Sequence, residues 1–317
     1  MRLNSLWAAL AVALLTAPLS GAAEQKVFRI GIIGLDTSHV TAFTQAINNP
    51  AKNYGCKVVA GYPGGSPDID SSRNRVKGYT EELRDKYGVE IVDSIEELCK
   101  KVDGVLLESV DGRPHLAQAR QVIAARKPLF IDKPLAASLE DAREIARLAK
   151  EAGVPWFSTS SLRYGETAVS MKFPDTTGVT TWGPGPLEEH HYLDLSWYAI
   201  HPIEMLYALL GPGCEEVTRI STAGADVVVG RWKGGKIGSV RALRPSGGDG
   251  ALVFRPKEVL QSDPKAKAGY GPMLKEIAKF FQTGIPPVPN EETLELFAFM
   301  DAAQRSKAAG GQPMRLR

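Results

Sequence analysis

The stretch Gly31-Ile-Ile-Gly34-Leu-Asp36-Thr37-Ser38-His39 follows an apolar run and precedes a helical-looking segment. That is where a dinucleotide fingerprint, G-x-G-x-x-G, places its turn: one glycine shapes it, one admits the pyrophosphate, and one lets helix pack on strand. Here only Gly34 keeps the register. Asp36 takes the second glycine's place and His39 the third's. A carboxylate beside a diphosphate is repelled by about 1 kcal/mol at about 4 Å in water, and by about 4 kcal/mol at an effective dielectric of about 20. The acid expected after the second strand to hold a ribose is absent too, because KVVAGY runs into Pro63-Gly64-Gly65. Two readings stay open. Thr37 or Ser38 caps a helix and His39 packs, or Asp36 and His39 face a cleft above the carboxyl ends of the strands.

Other polar groups lie near expected strand ends. In the loop Gly64 to Arg75, residues Ser71, Ser72, Arg73 and Arg75 are candidates for phosphate or sugar contacts, against a plain solvated insertion. Asp111, Arg113 and His115 in SVDGRPHL follow a strand and belong either to a cleft rim or to a turn. His190, His191, Asp194, His201 and Glu204 are metal-ligand types gathered in one region, without a defined ligand spacing.

These residues need a scaffold. From Val27 the chain alternates short β-rich runs with amphipathic helical segments, the pattern of a parallel sheet covered on both faces. Ser94 before Glu97 and Ser138 before Asp141 predict helix N-caps, and Gly88 and Gly153 predict C-terminal caps. A Rossmann-like dinucleotide-binding domain is expected over 24–165. Beyond Tyr164 the texture changes to turn-rich segments, strands joined by glycine pairs such as Gly234-Gly235, and a final amphipathic helix. This predicts an α+β domain over 166–317 with a mainly antiparallel sheet. That C-terminal sheet is the surface expected to mediate any homo-oligomer. The fold class is α/β.

Residues 1–23 have the make-up of a secretory signal peptide: Arg2, an apolar run from Leu6 to Leu19, and small residues Gly21 and Ala23 before the expected cleavage. The run is shorter than the about 20 residues a membrane anchor needs and contains Pro18. The expectation is export to the periplasm or the extracellular space. Hydrophobic content of 44% with 23% charged residues is that of a globular protein. A net charge of +2 without basic clusters points away from nucleic acid and membrane surfaces and toward a small-molecule partner. Cys56, Cys99 and Cys214 are odd in number and widely spaced, which fits buried packing residues better than a disulfide framework.

With the glycine turn and Phe130-Ile-Asp132-Lys133-Pro134-Leu135 in place, the chain resembles the Gfo/Idh/MocA family, the glucose-fructose oxidoreductase and inositol dehydrogenase group. The resemblance covers nearly all of the chain after the leader. It includes the family's Glu-Lys-Pro element, here Asp132-Lys133-Pro134, His115 at a helix start, the pair Arg163-Tyr164 closing the first domain, and the helix carrying His201-Pro202-Ile203-Glu204. It implies NAD or NADP as cofactor and a sugar, polyol or glycoside as substrate, with Lys133 and His201 at the reacting oxygen and Glu204 nearby. Histidine would take the hydroxyl proton, and the lysine cation would stabilise the developing alkoxide. Cofactor contacts are then expected from Gly34, Asp36, Thr37, Ser38, His39, Asp111, His115, Asp132 and Lys133. Substrate contacts are expected from Arg163, Tyr164, Trp197 and Tyr198, and no metal ligand is assigned. Pro202 is expected as the first helical residue. The chain departs from the family at Trp197, where an aspartate is usual, and at Glu204, where the later acid is usually aspartate. Two other readings stand beside the oxidoreductase: a metal-assisted carbohydrate lyase or hydrolase, and a non-catalytic carbohydrate-binding protein that kept the fold while its cofactor site decayed.

Overall fold

The structure is a computed structural model that describes residues 27–245 and 247–317; the expected signal peptide lies outside the described residues. In the first half, strands β1 (Phe28–Ile33), β2 (Cys56–Tyr62), β3 (Glu90–Ile91), β4 (Gly104–Leu107), β5 (Leu129–Asp132) and β6 (Trp156–Thr159) form one parallel sheet in the order β3-β2-β1-β4-β5-β6. Helices α1 (Ser38–Ile47), α2 (Asp70–Arg73), α3 (Val76–Tyr87), α4 (Ile95–Lys101), α5 (His115–Ala124) and α6 (Leu139–Ala152) make the crossovers, and α7 (Glu166–Ser170) follows β6. Strands covered on both faces are apolar throughout. Ile30, Ile32, Val105, Leu106, Phe130 and Ile131 are accordingly fully buried. The caps form as expected. Ser94 accepts from the Glu97 amide at 3.1 Å and Ser138 from the Asp141 amide at 3.0 Å, while Gly88 and Gly153 close α3 and α6 at φ 64°.

The second sheet has the order β12-β11-β7-β10-β9-β8-β13, built from β7 (Gly178–Pro184), β8 (Cys214–Ser221), β9 (Ala225–Trp232), β10 (Ile237–Leu243), β11 (Gly250–Arg255), β12 (Glu258–Gln261) and β13 (Met314–Arg315). Only the β7–β10 pair is parallel; the other pairs are antiparallel. Gly234 and Gly235 turn β9 into β10 with positive φ, as the sequence predicts. Helix α8 (Ile200–Leu210) lies on the inner face of this sheet.

The helices α9 (Tyr270–Thr283) and α10 (Asn290–Ala308) modify the division expected at residue 165. Met273, Ile277, Phe280 and Phe281 of α9 share a core cluster with Ile30, Phe130 and Phe157, and the Phe157 and Phe280 rings meet edge to face at 4.8 Å. A helix from the far end of the chain thus covers one face of the first sheet. The α10 helix packs on β8, α6 and β6 and ties the two sheets together. Cys56, Cys99 and Cys214 are buried and unpaired, in keeping with a packing role.

Behind β8 the Arg219 side chain is completely buried. It reaches Asp194 at 2.7 Å and Asp226 at 2.8 Å, with Arg244 and Lys307 bonding the same two acids. Removing one member of a buried pair leaves the other charge uncompensated, which typically costs about 3–5 kcal/mol. Arg219→Ala leaves Asp226 with Arg244 and Asp194 with Lys307, so it is expected to lower unfolding stability by less than that, about 1–3 kcal/mol, read from the denaturant midpoint at unchanged slope.

Candidate active site

The strand order reverses direction at β1 and β4, the switch point above which sheets of this kind bind ligands. The β1 turn is made by Gly34 at φ 85°, and a side chain there would run into the backbone of Ser109. Thr37 is the N-cap of α1, accepting from the His39 amide at 3.4 Å. That settles the capping question while leaving His39 in the cleft.

Asp36 does not confront the cleft. Its buried carboxylate turns inward, accepting from the Ser72 hydroxyl at 2.6 Å and the Val110 amide at 2.9 Å. Burial pushes its pKa upward, against those two hydrogen bonds. The repulsion expected at the second glycine position is thus avoided by the direction of the side chain.

Beside it, β5 ends in Asp132 and Lys133. Asp132 meets His39 Nδ1 at 2.5 Å and accepts from the Lys133 amide at 2.9 Å. Burial would raise its pKa, but the neighbouring His39 and Lys133 outweigh that and hold it low. His39 is itself fixed between Phe43, stacked at 5.0 Å, and the edge of Tyr270 at 4.9 Å. The Lys133 ammonium lies 4.9 Å over the Tyr198 ring, a cation–π contact, and burial lowers its pKa.

From the second half of the chain, α8 brings His201. The helix starts two residues earlier than expected, at Ile200, so Pro202 sits in its first turn rather than at its first position. His201 Nδ1 is 2.6 Å from the Ser160 hydroxyl at the end of β6. Burial, and then the charges of Lys133 and His39, push its pKa down to about 3. The ring is therefore neutral, with the nitrogen opposite Ser160 left for a ligand.

Lys133 and His201 line one cavity of about 470 Å³. Thr37, Ser38 and His39 line it at the α1 start, Ser71 and Arg75 come from the β2–α3 loop, and Trp197 and Tyr198 form part of the wall from the second half of the chain. Val110, Ser161, Leu162, Pro184, Asp249 and Tyr270, none of them expected from the sequence, complete the lining. A larger surface hollow of about 760 Å³, bordered by Arg143, Asp301 and Arg317, contains none of these chemical groups.

Several expected contacts fall elsewhere. His115 is buried with Nε2 2.8 Å from the Ser109 carbonyl and Nδ1 3.2 Å from that of Leu135, so it braces two loops and does not line the cavity. Asp111 is taken up by Arg113, Ser66 and His191; its burial is overcome by these partners, which hold its carboxyl well below the usual range. Asp132 reaches the cavity only through His39 and Lys133. Arg163 and Glu204, expected at substrate and reaction centre, form a buried ion pair at 2.6 Å, with Glu292 2.7 Å from the same guanidinium. Tyr164 packs in the core cluster of the first sheet. Of the loop candidates, Ser72 is bound to Asp36 and Arg73 to Asp70 and the Pro67 carbonyl. The five metal-ligand types do not converge either: His190 pairs with Glu188, His191 with Asp111, Asp194 with Arg219, His201 with Ser160, and Glu204 with Arg163.

Glu108, also not expected from the sequence, directly follows the apolar run of β4. It is fully buried, neither carboxyl oxygen has a hydrogen-bond partner, and burial followed by the charges of Asp132 and Asp36 drives its pKa well up. An acid closing an apolar strand at the switch point was the signal available.

A nicotinamide dinucleotide fits these residues at two places. Thr37 and Ser38 at the start of α1, with Arg75, suit a diphosphate, and Lys133, His201 and Tyr198 suit the reacting end.

Comparisons with known proteins agree with this architecture. Residues 28–160 match the family described as the oxidoreductase family with an NAD-binding Rossmann fold. Over this segment, which is less than half of the chain, the protein is similar to the Gfo/Idh/MocA oxidoreductase family. Solved structures resemble nearly the whole chain. Myo-inositol dehydrogenase from Lactobacillus casei, in complex with NAD(H) and myo-inositol, is 16% identical with a TM-score of 0.71, covering 92% of this chain and 97% of its own. Scyllo-inositol dehydrogenase from the same organism, with NAD(H) and scyllo-inositol, is 12% identical with a TM-score of 0.72, covering 92% and 99%. An oxidoreductase from Agrobacterium radiobacter, in complex with NAD+, L-tartaric acid and magnesium, is 15% identical with a TM-score of 0.70, covering 92% and 98%. No curated protein matches the chain in sequence.

Proposed function

We propose that this protein is an NAD(P)-linked oxidoreductase that interconverts a hydroxyl and a carbonyl on a polyol or sugar. The observation that carries this reading is the meeting of Lys133 and His201, from different halves of the chain, in one cavity. The dinucleotide, when bound, supplies the hydride acceptor or donor. The rest falls to the chain. His201, neutral and held by Ser160, accepts the hydroxyl proton on its free nitrogen. Lys133, held over Tyr198, stabilises the alkoxide that develops as the proton leaves. Trp197 and Tyr198 offer apolar faces to a sugar ring. Titration of the protein with NADH and NADPH, followed by nicotinamide fluorescence, tests the reading together with a polyol and sugar screen; protein that stays unresponsive to millimolar amounts of both cofactors would remove it.

The pH dependence follows from the two side chains. Because the His201 pKa is depressed, the ring stays unprotonated well below the ordinary histidine value of 6.5, and no acid limb near 6.5 is expected in kcat/KM. Lys133 has a lowered pKa as well, so its charge is lost as pH rises through a value below the usual 10.5, and activity falls on that alkaline side. A pH–rate profile with an acid limb near 6.5 would contradict the assignment of the base.

We further propose export through residues 1–23, tested by whether the mature protein begins at Glu24 when its mass is measured. Self-association is proposed through the outer face of the second sheet, where Ile220, Val229, Ile237 and Val259 are exposed. Sedimentation of Ile237→Asp beside the parent chain tests it.

A further inference from the structure

The adenosine half of a dinucleotide ordinarily lies in the crevice at the switch point, between the loop after β2 and the loop after β4. In this protein the two loops are fastened together across it. Leu35 N donates to the Pro63 carbonyl at 2.7 Å, and Gly64 lies in contact range of the turn, where a Cβ would meet Gly34 Cα at 3.5 Å. Further along, the Ser72 hydroxyl donates to Asp36 at 2.6 Å and accepts from the Ser66 amide at 2.7 Å. The Ser66 hydroxyl then crosses to Asp111 at 2.6 Å, and Asp68 pairs with both terminal nitrogens of Arg113 at 2.7 and 2.8 Å. Asp36, Ser66, Ser72 and Asp111 are all buried, so this is a built-in closure rather than a surface contact.

We propose that residues 63–75 are a clasp over the adenosine end of the cleft, which a dinucleotide displaces in order to bind. The nicotinamide end lies open in the cavity between Ser38 and His201; the adenosine end becomes available only when Ser66 and Asp68 release Asp111 and Arg113. Ser71 and Arg75, on the cavity side of the same segment, are the clasp groups placed to meet phosphate. Asp111 also accepts from His191 at 2.9 Å, and the His191 ring touches Trp197 edge to face at 5.5 Å, so the acid held by the clasp is also joined to the substrate wall.

This inference rests on the proposed cofactor, and its test separates the two. Nicotinamide mononucleotide, which has no adenosine, and NADH are titrated calorimetrically into the parent protein and into Ser66→Ala/Asp68→Ala. A closed state reduces apparent affinity by the fraction of molecules that are open. NADH should therefore bind the variant about tenfold more tightly than the parent, while the mononucleotide binds both alike. Hydrogen exchange of the parent, independent of any variant, should show residues 63–75 exchanging faster with NADH than without it. NADH binding equally to both proteins, with unchanged exchange in that segment, overturns the clasp and leaves the cofactor assignment standing. Binding of neither ligand to either protein overturns both.

Discussion

Lys133→Met is expected to lower kcat by about 10²–10³-fold, the cost of removing one preorganised group that stabilises a developing oxyanion, about 2.7–4 kcal/mol. Methionine keeps much of the stem that lies toward Tyr198 and removes only the cation. The loss should therefore appear in kcat more than in KM, since the alkoxide exists only as the reaction proceeds. Folding should survive, because Asp132 retains His39 at 2.5 Å and is not left as an unpaired buried carboxylate. Steady-state kinetics beside a thermal melt checks both parts. A kcat within threefold of the parent at an unchanged melting temperature would mean that the lysine does not act on the reacting oxygen.

The second large effect is expected at His201. His201→Ala should reduce kcat/KM by about 10²–10⁴-fold, the range for loss of a positioned general base. Ser160→Ala is the companion variant. It keeps the imidazole but removes the hydroxyl 2.6 Å from Nδ1, so it should reduce activity less than His201→Ala. Equal losses in the two would show that the ring's orientation, rather than its basicity, limits the reaction.

Much of the scaffold could be read from the sequence because its signals are local. The apolar runs of β1, β4 and β5, the serine caps of α4 and α6 and the glycine stops after α3 and α6 each follow from side chains within a few residues of one another. The placement of α9 could not be read that way. Its amphipathic pattern shows a buried face, but nothing local says that the face is covered by β1, β5 and β6. At the site, Lys133 and His201 were legible by type and position. Asp36 was legible by type only; its direction depends on Ser72 and the Val110 amide, which lie 36 and 74 residues away. His115, Asp111, Arg163 and Glu204 misled for one reason. A polar residue at the end of a strand or in the first turn of a helix serves equally well as a ligand contact or as a buried brace, and these four have partners that only folding brings within hydrogen-bond reach. Glu108 and Tyr270 escaped notice because one looks like the end of an apolar run and the other like the start of an unrelated helix.

The central claim is that the cavity joining Lys133 and His201 carries hydride transfer between a polyol and a nicotinamide. Its most direct test is to incubate the protein with NAD+ or NADP+ and polyols deuterated at the carbinol carbon, and to examine the nicotinamide by NMR. The account predicts reduced cofactor carrying deuterium at its C4 position, formed by the parent protein and far more slowly by Lys133→Met. A carbonyl product formed without deuterium on the nicotinamide, or no reduction of either cofactor by any polyol or sugar, would contradict it.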